Sequence, residues 1–169
     1  MEFDVLDFRE RIRSLIDAKT PIDQQNAVKY VSGLVSCHPT SSQLLCVETD
    51  LIQEFGFSDE YPVRDRYLKA VELDPLNSYA YESLGHLSSL EGKPREAKDW
   101  FEQSLEAREH VNALRGLLDI HRQLNEMDDY RETLDNLLDY IDELRNRIVA
   151  TAQLAGVHTE RDGTSDQPN

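Results

Sequence analysis

Two arginines, Arg115 and Arg122, have the side-chain type and the spacing to bind a carboxylate. They lie seven residues apart in a stretch of helical periodicity, so they share one face of a helix within two turns. Guanidinium groups placed in this way can hold a carboxylate of a bound segment through paired hydrogen bonds. Alternatively, Asp119 pairs with both in a solvated network that contributes little free energy. Both interpretations stay open at this stage.

The cysteines and histidines form a poor set of metal ligands. Cys46 follows Cys37-His38 by nine residues, whereas a structural zinc site takes four ligands at tight spacing. Free cysteine behaves as a small hydrophobe, so both are expected on apolar faces. His121 falls on the inward phase of its helix, where a satisfied core role is expected. The sequence therefore predicts no metal and no cofactor.

Motifs of the common enzyme classes are missing from the sequence. It has no Gly-rich phosphate loop, no H-E-x-x-H and no G-x-S-x-G. Acidic pairs such as Asp128-Asp129 are expected at helix caps and on solvated faces of so acidic a chain. We therefore expect no catalytic residue and no enzymatic activity.

The charge balance excludes several classes of partner. The 169 residues contain 18 Lys and Arg against 33 Asp and Glu, a net charge of −15, so nucleic acid and anionic membrane surfaces would repel the chain. The chain has no apolar run near the roughly 18 residues that a membrane span needs, and its first residues have no leader pattern. We expect a cytoplasmic protein that neither binds nucleic acid nor inserts into a membrane.

Helical periodicity dominates the chain and predicts an all-α fold. Thr40 with Gln43 is predicted to cap the third helix, and Asn125 with Asp128 to start the eighth. The polar residues 153–169 show no helical stripe and are expected to form a disordered tail. The eight predicted helices span residues 3–18, 22–37, 41–56, 59–74, 77–91, 94–107, 111–124 and 127–152.

The even-numbered helices repeat one pattern, a small or apolar residue followed by a large one four positions later. Its first members are Ala27, Val63, Ala97 and Tyr130, which are 36, 34 and 33 residues apart. A period of this length indicates helical hairpins that stack, because one hairpin cannot bury its apolar face alone.

The segment 67–105 resembles the tetratricopeptide repeat. Tyr81, Leu84-Gly85, Ala97 and Phe101 match its aromatic, Leu-Gly and Ala-x₃-Phe positions. The flanking repeats are degenerate, and residues 57–62 look like an insertion. The resemblance implies a right-handed solenoid of about four antiparallel hairpins over residues 1–152, ending in a long capping helix, and a function in binding another protein.

In such stacks the first helices of successive hairpins line a concave groove. In the third predicted helix, the residues expected to face the groove are Ser42, Leu45 and Thr49. None of them is a Lys, so we do not expect the carboxylate clamp by which some tetratricopeptide domains hold chaperone tails. Leu45 and Ile52 suggest that part of the groove is apolar. In the fifth and seventh helices the phase gives eight predicted groove residues: Tyr79, Glu82, His86, Ser89, Asn112, Arg115, Asp119 and Arg122.

The last predicted helix is longer than a repeat requires. Its apolar residues step by 3, 4, 3 and 4 along the chain, which is a heptad-like stripe. Either the helix caps the stack, or its end pairs with a second copy or with a partner helix. The residues of this stripe are Leu134, Leu137, Ile141, Leu144 and Ile148.

Taken together, these patterns predict an adaptor that holds an extended peptide or an amphipathic helix of another protein in its groove. Two alternatives stay open. The first is a small acidic chaperone, similar to the tetratricopeptide proteins that shield secreted translocators in bacteria. The second is a homodimer that assembles through the last helix.

Overall fold

The structure is a computed structural model that describes residues 20–108 and 110–154. Within these ranges the chain forms seven helices and no strand. The predicted helix at 3–18 and most of the predicted tail lie outside the described residues. The helices are α1 (Pro21–Cys37), α2 (Ser42–Glu54), α3 (Val63–Leu73), α4 (Ser78–Leu90), α5 (Pro94–Ala107), α6 (Val111–Leu124) and α7 (Met127–Leu154).

Each helix packs against the next one in the chain, so α2–α3, α4–α5 and α6–α7 are antiparallel hairpins in a stack. The first helix of one hairpin also contacts the first helix of the next, as α4 does with α6. Within the described residues, no helix combines the length and the apolar composition that a membrane span requires. The predicted all-α stack of hairpins is therefore present over the described residues.

Several helix ends follow the predicted turn chemistry. The Asn77 side chain caps α4 by accepting a hydrogen bond from the Ala80 amide at 3.2 Å. Gly92 adopts φ +72° after α4, a conformation that costs glycine little. Pro94 then opens α5 at the position where a missing amide hydrogen does no harm.

Three predicted helix ends were wrong. Ser41, not Thr40, caps α2 by accepting from the Leu44 amide at 3.3 Å. Asn125 ends α6 in the left-handed conformation, with φ 60°, and does not start α7. The fourth predicted helix begins at Val63, because an eight-residue connection over 55–62 ends at Pro62.

The apolar core of the described residues divides into two clusters. The larger one joins α1 to α4 and contains Val31, Ile52, Tyr67 and Leu84. The smaller one joins α5 to α6 around Phe101, whose ring lies between Gly85 and Gly116. A Cβ at Gly85 would lie 2.8 Å from that ring, which explains why this hairpin has glycine at the Leu-Gly position of the repeat.

Polar contacts connect successive hairpins. Arg64 of α3 donates hydrogen bonds to Glu91 at 3.0 Å and to Glu96 at 2.7 Å. Lys98 of α5 donates to Glu126, beside the start of α7, at 2.8 Å. Because the pairs Arg64–Glu96 and Lys98–Glu126 are partly buried, they fix the rotation of one hairpin on the next more firmly than fully exposed pairs would.

Candidate functional site

The first helices of the hairpins α2–α3 and α4–α5 meet at Asp50. The Tyr79 hydroxyl of α4 donates a hydrogen bond to this carboxylate at 2.8 Å, and the hydroxyl of the buried Tyr67 of α3 donates another at 2.5 Å. Beside them lies a cavity of about 190 Å³, and a second one of about 470 Å³ opens between Tyr79 and Glu54. We call this place the Asp50 pocket. The smaller cavity is lined by Asp50, Gln53, Tyr67, Tyr79, Glu82, Ser83, His86, Leu87 and Leu90.

The electrostatics of the Asp50 pocket are set by burial. Removal from water raises the pKa of Asp50, and the nearby Glu82 carboxylate raises it further, while the hydrogen bonds from Tyr67 and Tyr79 act in the opposite direction. Burial and the Asp50 charge together raise the pKa of both tyrosines. The tyrosines therefore keep their protons and serve as fixed donors.

The predicted groove residues of α4 do not all reach the surface. Tyr79 and His86 are exposed and Ser89 is half-buried. Glu82 is only 7% exposed, because its carboxylate lies 3.5 Å from His86 and 3.6 Å from His110, the residue before α6. Glu82 thus lies in the wall of the groove, where it joins α4 to the next hairpin.

All four predicted groove residues of α6, Asn112, Arg115, Asp119 and Arg122, are exposed. Arg122 donates to Asp119 at 3.0 Å, and the two side chains are 71% and 65% exposed. An ion pair so open to water contributes little free energy. The local network foreseen for Asp119 therefore exists with Arg122, and a carboxylate of another molecule could replace it at small cost.

The prediction of which α2 residues face the groove was wrong. Ser42, Leu45, Thr49 and Ile52 are all buried, because α2 packs against α1 and α3 and lies beside α4, so that more than one of its faces is covered. The buried Thr49 hydroxyl donates a hydrogen bond to the Leu45 carbonyl at 2.6 Å.

The groove face of α2 carries Asp50 and Gln53 instead. Neither residue was predicted from the sequence. One signal was available: they are polar residues three positions apart beside the apolar Leu51 and Ile52.

A serine, a histidine and a carboxylate meet beneath the groove, but their environment rules out a nucleophilic role. The Ser104 hydroxyl lies 2.9 Å from Nε2 of His110, whose other ring nitrogen faces Glu82. Ser104 is fully buried, and it already donates its proton to the Ser78 carbonyl at 2.7 Å. A buried hydroxyl without access for a substrate is a structural hydrogen-bonding group.

One group among the described residues has the spacing of metal ligands, namely His121, Glu126 and Asp129. The Lys98 ammonium already lies 2.8 Å from Glu126 and 3.5 Å from Asp129. It supplies the positive charge that a metal ion would bring, so the group is better explained as an ion-pair network. His121 is buried and bonded to Glu126 at 3.0 Å, the core role that its helical phase predicted.

The two cysteines lie in different environments. Cys46 is buried, and its pKa is raised to about 12, mainly by that burial. Cys37 is exposed, so the expectation that both cysteines lie on apolar faces was wrong for this one.

The comparison with known families identifies the repeat. The tetratricopeptide repeat model matches residues 67–99, which include the second part of α3, all of α4 and the start of α5. This part of the chain is a tetratricopeptide repeat. A comparison with curated proteins finds no match in sequence.

The solved structures that share the fold of this chain include two of MamA. A crystal structure of MamA matches with a TM-score of 0.62 at 16% identity, covering 80% of this chain and 81% of that chain. A second MamA crystal structure matches with a TM-score of 0.59 at 15% identity, covering 84% and 79%. At such identities the likeness shows the fold, and it confirms the predicted helical solenoid.

Proposed function

We propose that this protein is an interaction module that holds a peptide or helical segment of a partner along α2, α4 and α6. The observation that carries the proposal is the exposed pair Tyr79 and His86, which lies over the Asp50 pocket. Aromatic side chains that are held rigidly by a hydrogen bond, as Tyr79 is by Asp50, bind partners at low entropic cost.

The two ends of the groove differ in charge. Asp50 and Glu54 lie at the α2 end, whereas Arg115 and Arg122 lie on α6. A bound segment with a basic side chain at one end and an acidic side chain at the other can pair both charges in one orientation only, with its basic end at α2 and its acidic end at α6. Such complementarity favours a single orientation and a faster association.

The groove can be tested by site-specific photo-cross-linking in the native host. A photoreactive amino acid at His86 should attach to the partner, whereas the same group at Glu102, exposed on α5, should not. The cross-linked protein is then identified and purified. If Glu102 captures the same protein as efficiently as His86, the groove assignment is wrong.

Binding of the purified partner then measures the contribution of α6. Arg115→Glu/Arg122→Glu should weaken binding about tenfold or more. Lys69→Glu/Arg95→Glu, which changes the net charge equally on exposed residues of α3 and α5, should change it little. Equal effects of the two variants would contradict a specific role for the arginines. A partner that aggregates when released would indicate a chaperone, and one that stays soluble an adaptor.

A further inference from the structure

Within the described residues, no surface packs against the second half of α7. At 1.5 Å per residue, the 28 residues of α7 reach about twice as far as the 14 residues of α6, against which it packs. Thr133 is its one buried residue, and all side chains from Ile141 to Thr151 are exposed. The end of α7 therefore extends past the hairpin.

This extension carries a wide apolar stripe. Leu144 and Ile148 line a depression of about 430 Å³ together with Arg147, Thr151 and Ala152. A short helix exposed on all sides is marginal in water, since helical stability in proteins comes mainly from packing, so a second surface against this stripe would stabilise it. The large apolar residues exposed along the extension are Leu138, Ile141, Leu144, Ile148, Val149 and Leu154.

The spacing of the stripe points to another helix as the occupant. Leu137, Ile141, Leu144 and Ile148 continue a 4-3-4 pattern, a period of 3.5 residues, which keeps one seam facing a partner helix. A groove that binds an extended peptide has no need for this period.

The charges of α7 point to a second copy in the opposite direction. Residues 127–143 contain seven carboxylates and one arginine, whereas residues 144–154 contain Arg145 and Arg147 and no carboxylate. An antiparallel pair centred on Glu143 places Arg145 and Arg147 of each copy within one helical turn of Asp139 and Asp142 of the other. A parallel pair would place like charges side by side and bring two strongly acidic hairpin stacks together at one end.

We propose that this protein forms a homodimer in which the residues 138–148 of two copies pair as antiparallel helices. The pairing surface lies on α7 and is separate from the groove along α2, α4 and α6. The dimer would therefore present two grooves from opposite ends of one helix pair.

Light scattering and sedimentation of the full chain over about a hundredfold dilution range test the dimer. Wild type should be dimeric at high concentration and dissociate on dilution. Leu144→Asp/Ile148→Asp should raise the dissociation constant at least about tenfold, because it places two charges per copy in the seam. Since both positions are exposed in one copy, the helical circular dichroism of the hairpins should stay. A wild type that is monomeric throughout, or a dimer that survives this variant, overturns the proposal.

The antiparallel direction has its own test. Arg145→Glu/Arg147→Glu should weaken an antiparallel dimer and leave a parallel one unchanged, with Lys69→Glu/Arg95→Glu as the charge-matched control. In a Cys37→Ser background, Thr151→Cys should form an intermolecular disulfide in a parallel pair and not in an antiparallel one. A strong disulfide at this position would overturn the direction. If the seam instead binds residues 1–19 or another protein, the wild type stays monomeric and the proposal fails.

Discussion

The ring of Phe101 lies against the backbone of Gly116, so close that a Cβ on this glycine would come within 2.5 Å of two ring carbons. Phe101 belongs to α5 and Gly116 to α6, and their contact is the centre of the smaller core cluster. The hairpins α4–α5 and α6–α7 therefore approach each other as closely as a phenyl ring and a bare backbone allow.

Gly116→Ala should destabilise the fold by about 1–3 kcal/mol, because the ring is enclosed and the added methyl group must displace it. Gly33 is the matched control: it lies within α1, and a Cβ there would meet nothing within 4 Å. Gly33→Ala should stabilise by about 0.5–1 kcal/mol through the helix propensity of alanine. Urea unfolding followed by circular dichroism gives both values, and equal effects at the two positions would contradict the packing argument.

Tyr67→Phe should cost about 1–3 kcal/mol, since the half-buried Asp50 carboxylate would lose the donor that reaches it from the core. Tyr79→Phe removes the second donor to the same carboxylate from a more exposed position. It should therefore cost less than Tyr67→Phe. Thermal unfolding of both variants tests this order, and a larger loss for Tyr79→Phe would show that the exposed hydrogen bond is the stronger one.

His110 should make the fold sensitive to mild acid. Burial and the charge of Arg108 lower its pKa, while Glu82 opposes them, and the net shift is downward from 6.5. As the pH falls below about 6.5, the unfolded chain takes up the proton before the folded one does, so the free energy of unfolding decreases. His110→Gln should remove this part of the pH dependence, whereas His86→Gln at an exposed site should retain it. Parallel pH profiles for wild type and His110→Gln would contradict the assignment.

Asn125 offers a test of the helix end. It holds the left-handed conformation with φ 60° after α6, where glycine is favoured and alanine is strained. Asn125→Ala should destabilise by about 1 kcal/mol, and Asn125→Gly should be neutral or slightly stabilising. A melting temperature that falls equally for both variants would mean that the asparagine side chain, and not the backbone conformation, matters.

The hairpin of the strong repeat could be predicted because its contacts are local. Gly85 and Phe101 lie in adjacent helices at positions where the repeat pattern requires a small and a large residue, and they do pack together. Gly116 was not selected, since it belongs to a degenerate repeat in which glycine is not at the motif position. Its role depends on a ring from the preceding hairpin.

The Asp50 pocket could not be predicted from helical periodicity. A helix that is covered on several sides shows no single apolar stripe, and α2 buries the polar Ser42 and Thr49 along with Leu45 and Ile52. The Asn77 side-chain amide, which comes from the next hairpin, donates a hydrogen bond to the Ser42 hydroxyl at 2.8 Å. Such pairing between distant residues sets the rotation of α2, and no pattern within α2 itself contains it.

The division of the core into two clusters predicts that the protein has two regions that open separately. The hairpin of α6 and α7 rests on the Phe101 junction, while α1 to α4 share the larger cluster. Local unfolding at the C-terminal side would remove Arg115 and Arg122 from the groove and leave the Asp50 pocket intact. A partner that spans both regions would oppose this local unfolding. It would therefore slow amide hydrogen exchange in α6 even where it touches only side chains. Part of its binding energy would be used to keep the two regions packed together.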